Sequence, residues 1–137
     1  MTRKLYLLPL VFVSHQAVAQ GPEDFIGSFK GSEDVVITCS NAAWNKTENR
    51  SWTSTHKDLN GDSFRGLTRT GGGQYDVKGT INGNIATGTF KGKDGFGNPC
   101  NGEFTDTLNG DELTVISNGK CPTVGCEFSG QVKAKKQ

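Results

Sequence analysis

His56 and Asp58 are two positions apart. On a β-strand that spacing puts an imidazole and a carboxylate on one face, the arrangement by which an acid orients a general base. A strand that runs into a turn carries such a pair more simply as solvated side chains, and that is the expectation for these two. Asp58, Asn60 and Asp62 alternate like the start of a calcium loop, but Ser63 stands where the obligatory glycine belongs and Arg69 where the bidentate glutamate belongs. In "GKDGFGNP" (92–99), Asp94 and Asn98 are weak oxygen donors in a glycine-rich loop.

Four cysteines, Cys39, Cys100, Cys121 and Cys126, include no Cys-x-x-Cys pair, and one histidine lies beyond residue 19, so two disulfides are a better reading than zinc. Neither a Gly-x-Ser-x-Gly elbow nor a phosphate loop is present, and Gly71-Gly72-Gly73 precedes no helical pattern. No pair of carboxylates has surroundings that would separate two pKa values for glycoside hydrolysis. These features imply no catalytic residues, no metal and no cofactor.

The aromatic residues offer binding instead. The loop "NAAWNKTENRS" (41–51) carries Trp44 and leads into Trp52, the only two tryptophans. An exposed tryptophan can stack on a sugar ring or anchor a protein partner, whereas a buried one caps a core. Asn45, Arg50 and, on the 92–99 loop, Phe96 complete the candidate contact set. Asn45-Lys46-Thr47 and Asn49-Arg50-Ser51 are glycosylation sequons, which matter only in a eukaryotic secretory pathway.

The elements that must carry these residues are strands. Tyr75, Val77, Gly79 and Ile81 alternate with polar residues, as do Phe128, Gly130, Val132 and Ala134, and Val35, Ile37 and Cys39 form a third such row. Strands are expected at 24–30, 34–40, 51–59, 62–70, 74–81, 84–91, 100–108, 111–117 and 126–134. Asn60-Gly61, Asn82-Gly83 and Asn109-Gly110 each sit between alternating runs, the signature of a type I′ hairpin turn. Phe-x-Gly recurs at 25, 29, 64, 90 and 128, so that a ring beside an absent side chain helps strands coil round a narrow, filled interior.

An all-β, antiparallel up-and-down meander follows, closed or nearly closed into a small barrel of about eight strands with two disulfides. Nine segments exceed that number, and 51–59 is the one expected to be an irregular approach. The architecture is similar to that of avidins and lipocalins, without the several tryptophans of a biotin pocket or the lipocalin Gly-x-Trp opening, in whose place stands Phe25-Ile26-Gly27.

Connections in a meander alternate between two poles. Those near 31–33, 60–61, 82–83 and 109–110 fall at one pole, and the longer ones at 41–50, 71–73, 92–99 and 118–125 at the other, together with all four cysteines. Cys121 with Cys126 and Cys39 with Cys100 is the expected pairing, with Cys100–Cys121 the alternative. Function belongs at this disulfide-tied pole, where long loops rest on a rigid scaffold.

Residues 1–19 have the layout of a secretory signal peptide: Arg3 and Lys4, an apolar run from Leu5 to Val13, and Ala17-Val18-Ala19 before Gln20. The apolar run is too short to span a bilayer. A single domain over 20–137 is then exported to the periplasm or secreted. Its 13 basic and 14 acidic residues are interspersed, which excludes the charge footprint of a nucleic-acid binder. The expected function is a non-catalytic binding protein for a small molecule or glycan. The alternative is a protein–protein module, such as an inhibitor of an extracytoplasmic hydrolase with the 41–51 loop as its wedge. An enzyme built on His56 and Asp58 is the third reading.

Overall fold

The computed structural model describes residues 20–137. The expected signal peptide, 1–19, lies outside the described residues. Eight antiparallel strands in sequence order form a closed barrel: β1 (Gly27–Cys39), β2 (Lys46–Asn60), β3 (Ser63–Thr70), β4 (Gly73–Asn82), β5 (Ile85–Lys93), β6 (Pro99–Asn109), β7 (Glu112–Cys121) and β8 (Cys126–Lys136). The seam is antiparallel, from Phe29 opposite Lys136 to Cys39 opposite Cys126. Inward rows alternate with polar outward ones, as in β4, where Tyr75, Val77, Gly79 and Ile81 are buried and Gln74, Asp76, Lys78 and Thr80 face solvent. Among the described residues, no helix is long and apolar enough to cross a membrane.

The excess ninth strand disappears at residues 31–33, where the sequence suggests a turn and the structure has none. β1 runs unbroken through Gly31, whose Cα hydrogen faces β8 so closely that a Cβ there would strike the Lys133 carbonyl. Glycine serves here as a tight contact between neighbouring strands rather than as a corner. The 51–59 segment is no irregular approach; it lies within β2, which pairs with both neighbours. Phe64 packs over Gly79 of the adjacent β4, not over the Gly two residues along its own strand.

The three Asn-Gly turns are displaced by one residue. Asn60 pairs with Ser63, Asn82 with Ile85 and Asn109 with Glu112, so the central residues are Gly61-Asp62, Gly83-Asn84 and Gly110-Asp111. Only the glycine of each pair has positive φ, at 63–65°. A lone positive φ at the first central position belongs to type II′ and not type I′.

The division into poles holds. The three glycine turns lie at one end, beside a floor of Phe25, Phe29, Phe64, Ile81, Ala86, Leu108 and Leu113. A one-turn 3-10 helix, Pro22–Phe25, plugs that floor, with Lys136 Nζ donating to the Asp24 carbonyl at 2.7 Å. The loops 40–45, 71–72, 94–98 and 122–125 lie at the other end with the four cysteines.

The disulfides are Cys39–Cys126 and Cys100–Cys121, not the expected Cys39–Cys100 and Cys121–Cys126. The cysteines form a row across β1, β8, β7 and β6, with Cys126 opposite both Cys39 and Cys121. A Cys121–Cys126 bond would strand Cys39 three strand spacings from Cys100, about 14 Å against the ~7 Å that a disulfide tolerates. Bonding each outer cysteine to its inner neighbour is the only adjacent pairing that uses all four. Two structural disulfides belong to an oxidising, extracytoplasmic environment.

Candidate functional site

Above the apolar floor, the barrel interior turns polar. The inward row of β1 places Glu33 between Gly31 and Val35, and that of β2 places Arg50, Trp52, Ser54 and His56 in succession. Glu33 is 3% exposed. Its Oε1 accepts from Arg50 Nε at 3.0 Å and from the Thr70 hydroxyl at 2.8 Å. Its other oxygen lies over Gly130 and beside Ser117, where a Cβ at 130 would meet it at 2.5 Å. Removing either partner of such a buried pair leaves an uncompensated charge. Arg50 reaches the rim: it also touches Glu48, and a Cβ at Gly71 of the β3–β4 turn would collide with its guanidinium.

Deeper in, Ser54 and Thr68 share a 2.8 Å hydrogen bond. His56 Nδ1 lies 2.9 Å from the Phe25 carbonyl, which can only accept, so Nδ1 carries the proton. The ring packs against Phe29 and Phe64. Burial lowers its pKa to about 4, against the opposing pull of the Phe25 bond. Tyr75 sits near the rim with its phenol pushed up, chiefly by burial. Asp106 of β6 is 2% exposed, and its Oδ2 is buried with no hydrogen-bond partner. Burial alone raises its pKa to about 8, so the carboxyl is largely protonated at neutral pH.

These groups surround one cavity of about 50 Å³, walled by Trp52, Tyr75, Val77, Phe90, Phe104 and Phe128. That volume holds a few waters or a group of two or three heavy atoms, and falls well short of the ~300 Å³ of an ordinary ligand pocket.

The five contact residues read from the sequence divide. Trp52 is 5% exposed and points into the cavity, and Arg50 guards its rim. Trp44, 53% exposed, ends a one-turn helix in the 40–45 loop, while Asn45 is structural: its Oδ1 accepts from the Cys39 amide at 2.7 Å. Phe96 is 87% exposed at the tip of the β5–β6 hairpin. Asp94, a weak oxygen donor by sequence, spends its carboxylate within the loop: it accepts from the amides of Phe96 and Asn98 and from the Asn98 side chain. Asp94 also neighbours Cys100 and Cys121, but both sulfurs are committed to a disulfide. The two tryptophans thus differ in surroundings. A Trp52→Phe variant, retaining Trp44, should be strongly quenched by iodide, and Trp44→Phe, retaining Trp52, barely; equal quenching would contradict this placement.

His56 and Asp58 do not form a pair. A bulge between Lys57 and Asn60, with Asp58 at φ 55°, turns Asp58 out to solvent while His56 stays buried, so neither the solvated-face reading nor a triad describes His56. Glu33, Tyr75, Asp106 and Ser117 were not singled out by type or motif. Their signal is parity: Glu33 and Asp106 each occupy an inward position in a row otherwise apolar or glycine.

No family model and no curated protein matches the chain. The fold is similar to a solved structure of a protein of unknown function from the DUF3598 family of Nostoc punctiforme PCC 73102, 11% identical, with a TM-score of 0.54 over 87% of this chain. The chain spans half the length of that protein, and at this identity the likeness shows the fold alone.

Proposed function

We propose that this is an exported, non-catalytic binding protein of the periplasm or the extracellular space, which takes a small polar group through the disulfide-tied mouth of its barrel. The supporting observation is the cavity beneath that mouth, whose mainly aromatic walls carry the buried or half-buried polar groups of Arg50, Glu33, Tyr75 and Asp106. Its size argues against a whole glycan inside the barrel and for a small molecule or one end of a larger one. The test uses Trp44→Phe, in which Trp52 alone reports. A panel of small cationic, anionic and neutral polar solutes should include one that shifts Trp52 emission saturably. If none does so, the reading fails.

The exposure of Phe96 on a hairpin tip braced by Asp94 supports a second reading, a protein–protein module such as a hydrolase inhibitor. The wedge then shifts from the 41–51 loop, half of which is strand β2, to Phe96. A stable complex with a cell-envelope hydrolase that Phe96→Ala abolishes would favour this reading over the first.

A further inference from the structure

Most charged and polar side chains around the cavity have a protein partner. Glu33 has Arg50 and Thr70, Ser54 has Thr68, and His56 has the Phe25 carbonyl. Among the described residues, Asp106 Oδ2 alone is a side-chain polar atom both fully buried and without a partner. Its cross-strand neighbours are Ala86 and Val115, which offer neither a donor nor a charge. A carboxyl in that position is complemented by a hydrogen-bond donor that brings its own positive charge. The walls agree in composition: Trp52, Tyr75, Phe90 and Phe104 line the cavity, and aromatic rings attract cations through their quadrupoles. Several lining oxygens are already paired, Glu33 with Arg50 and Thr70 and Ser54 with Thr68, which argues against a hard metal ion that needs six or more. The volume of about 50 Å³ accommodates one nitrogen and one or two carbons.

We propose that the cavity binds a primary ammonium group, with Asp106 as its counter-ion and the aromatic rings as its walls. This rests on the cavity being the binding site. The group is a free small amine or the amino end of a longer chain entering past Arg50. Bound, the carboxylate accepts from the ammonium. Where the unliganded carboxyl holds a proton, that proton leaves to solvent on binding.

The linkage gives a signature. With the unliganded group titrating at about 8, affinity should rise about 50-fold between pH 6 and pH 8. The other titratable groups on the cavity are Glu33 of β1, Arg50 and His56 of β2 and Tyr75 of β4; β3, β5, β7 and β8 contribute none. His56 titrates near 4 and Tyr75 above its ordinary 10, both outside this window.

Methylammonium chloride is titrated into the Trp44→Phe protein at pH 6 and pH 8, with potassium acetate, potassium chloride and methanol as controls at matched ionic strength. Saturable Trp52 emission with methylammonium alone, about 50-fold tighter at pH 8 and lost in Asp106→Asn, supports the proposal. Butylammonium then distinguishes the sources: binding means that a chain threads the mouth, and exclusion means a free small amine. Saturation by acetate, methanol or potassium instead overturns the ammonium assignment and leaves the binding site standing. Silence from all four overturns both. Should Asp106→Asn fail to fold, the pH dependence of the Trp44→Phe protein decides, and equal affinity at pH 6 and pH 8 overturns the proposal.

Discussion

At pH 8, Asp106→Asn should melt about 10 °C above the unsubstituted protein, and at pH 4 the two should melt together. The sign follows from linkage. The Asp106 carboxyl titrates at about 8 in the folded protein and at the ordinary aspartate value of 3.8 when the chain unfolds. Between those values the folded state holds a proton that the unfolded state has released, so stability falls as pH rises from about 4 to 8. Four pH units at about 1.4 kcal/mol each set an upper bound of roughly 5 kcal/mol. Relaxation around the charge should leave about half, near 2–3 kcal/mol, since proteins screen buried charges better than a dry interior would. Asparagine keeps the shape and the unsatisfied oxygen but cannot ionise, so it removes the pH-dependent part alone.

His56 makes the profile more specific. Its pKa falls from 6.5 to about 4 on folding, so below pH 6.5 the unfolded chain takes up a proton that the folded one refuses. Stability from this group is lost as pH falls from 6.5 to 4, opposite in slope to the Asp106 contribution. The two slopes oppose each other between pH 4 and 6.5, and only the Asp106 decline remains from 6.5 to 8. Asp106→Asn should therefore expose the histidine slope, with stability climbing from pH 4 to 6.5 and then levelling. Calorimetric melts at half-unit intervals check this; parallel curves for the two proteins would remove Asp106 from the account.

The alternation in Tyr75–Ile81 and Phe128–Ala134 specifies both the strands and their buried faces, because a half-buried sheet tolerates no other period. The Asn-Gly steps locate the hairpins but not their frame. Asparagine before glycine suits a type I′ pair, yet glycine before Asp or Asn suits type II′ equally well, and each of the three turns contains both options. Moving the centre by one residue moves the partner by two, which brings Cys100 opposite Cys121. Gly31 was ambiguous because one residue type serves both corners and close contacts. Reading a turn there also concealed Glu33: only when β1 runs unbroken from Phe29 to Val35 does the glutamate fall on the inward parity. Asp106 was legible once that parity is applied to β6, where it is the one charge in the row Cys100, Gly102, Phe104, Asp106, Leu108. His56 is the reverse case, since the bulge that separates it from Asp58 has no local sequence mark.

Replacing Cys39 and Cys126 by alanine should cost about 4–5 kcal/mol, and replacing Cys100 and Cys121 about 3 kcal/mol, from loop closures spanning 87 and 21 residues. The order has a structural counterpart. Cys39–Cys126 clamps the seam between the first and last strands, where no turn holds the chain together, while Cys100–Cys121 reinforces a hairpin already closed at Gly110. Urea unfolding of the two double variants measures both costs, and a larger loss for the hairpin bridge would contradict the ranking. The pairing itself can be checked beforehand by non-reducing tryptic digestion. Cleavage after Lys30, Lys46, Lys93, Lys120 and Lys133 puts Cys39 and Cys100 on separate peptides and leaves Cys121 and Cys126 together on a third. The observed bonds tie all three peptides into one species. A Cys121–Cys126 bond would instead release the third as an internally bridged peptide, and with it the assignment of the seam clamp would fall.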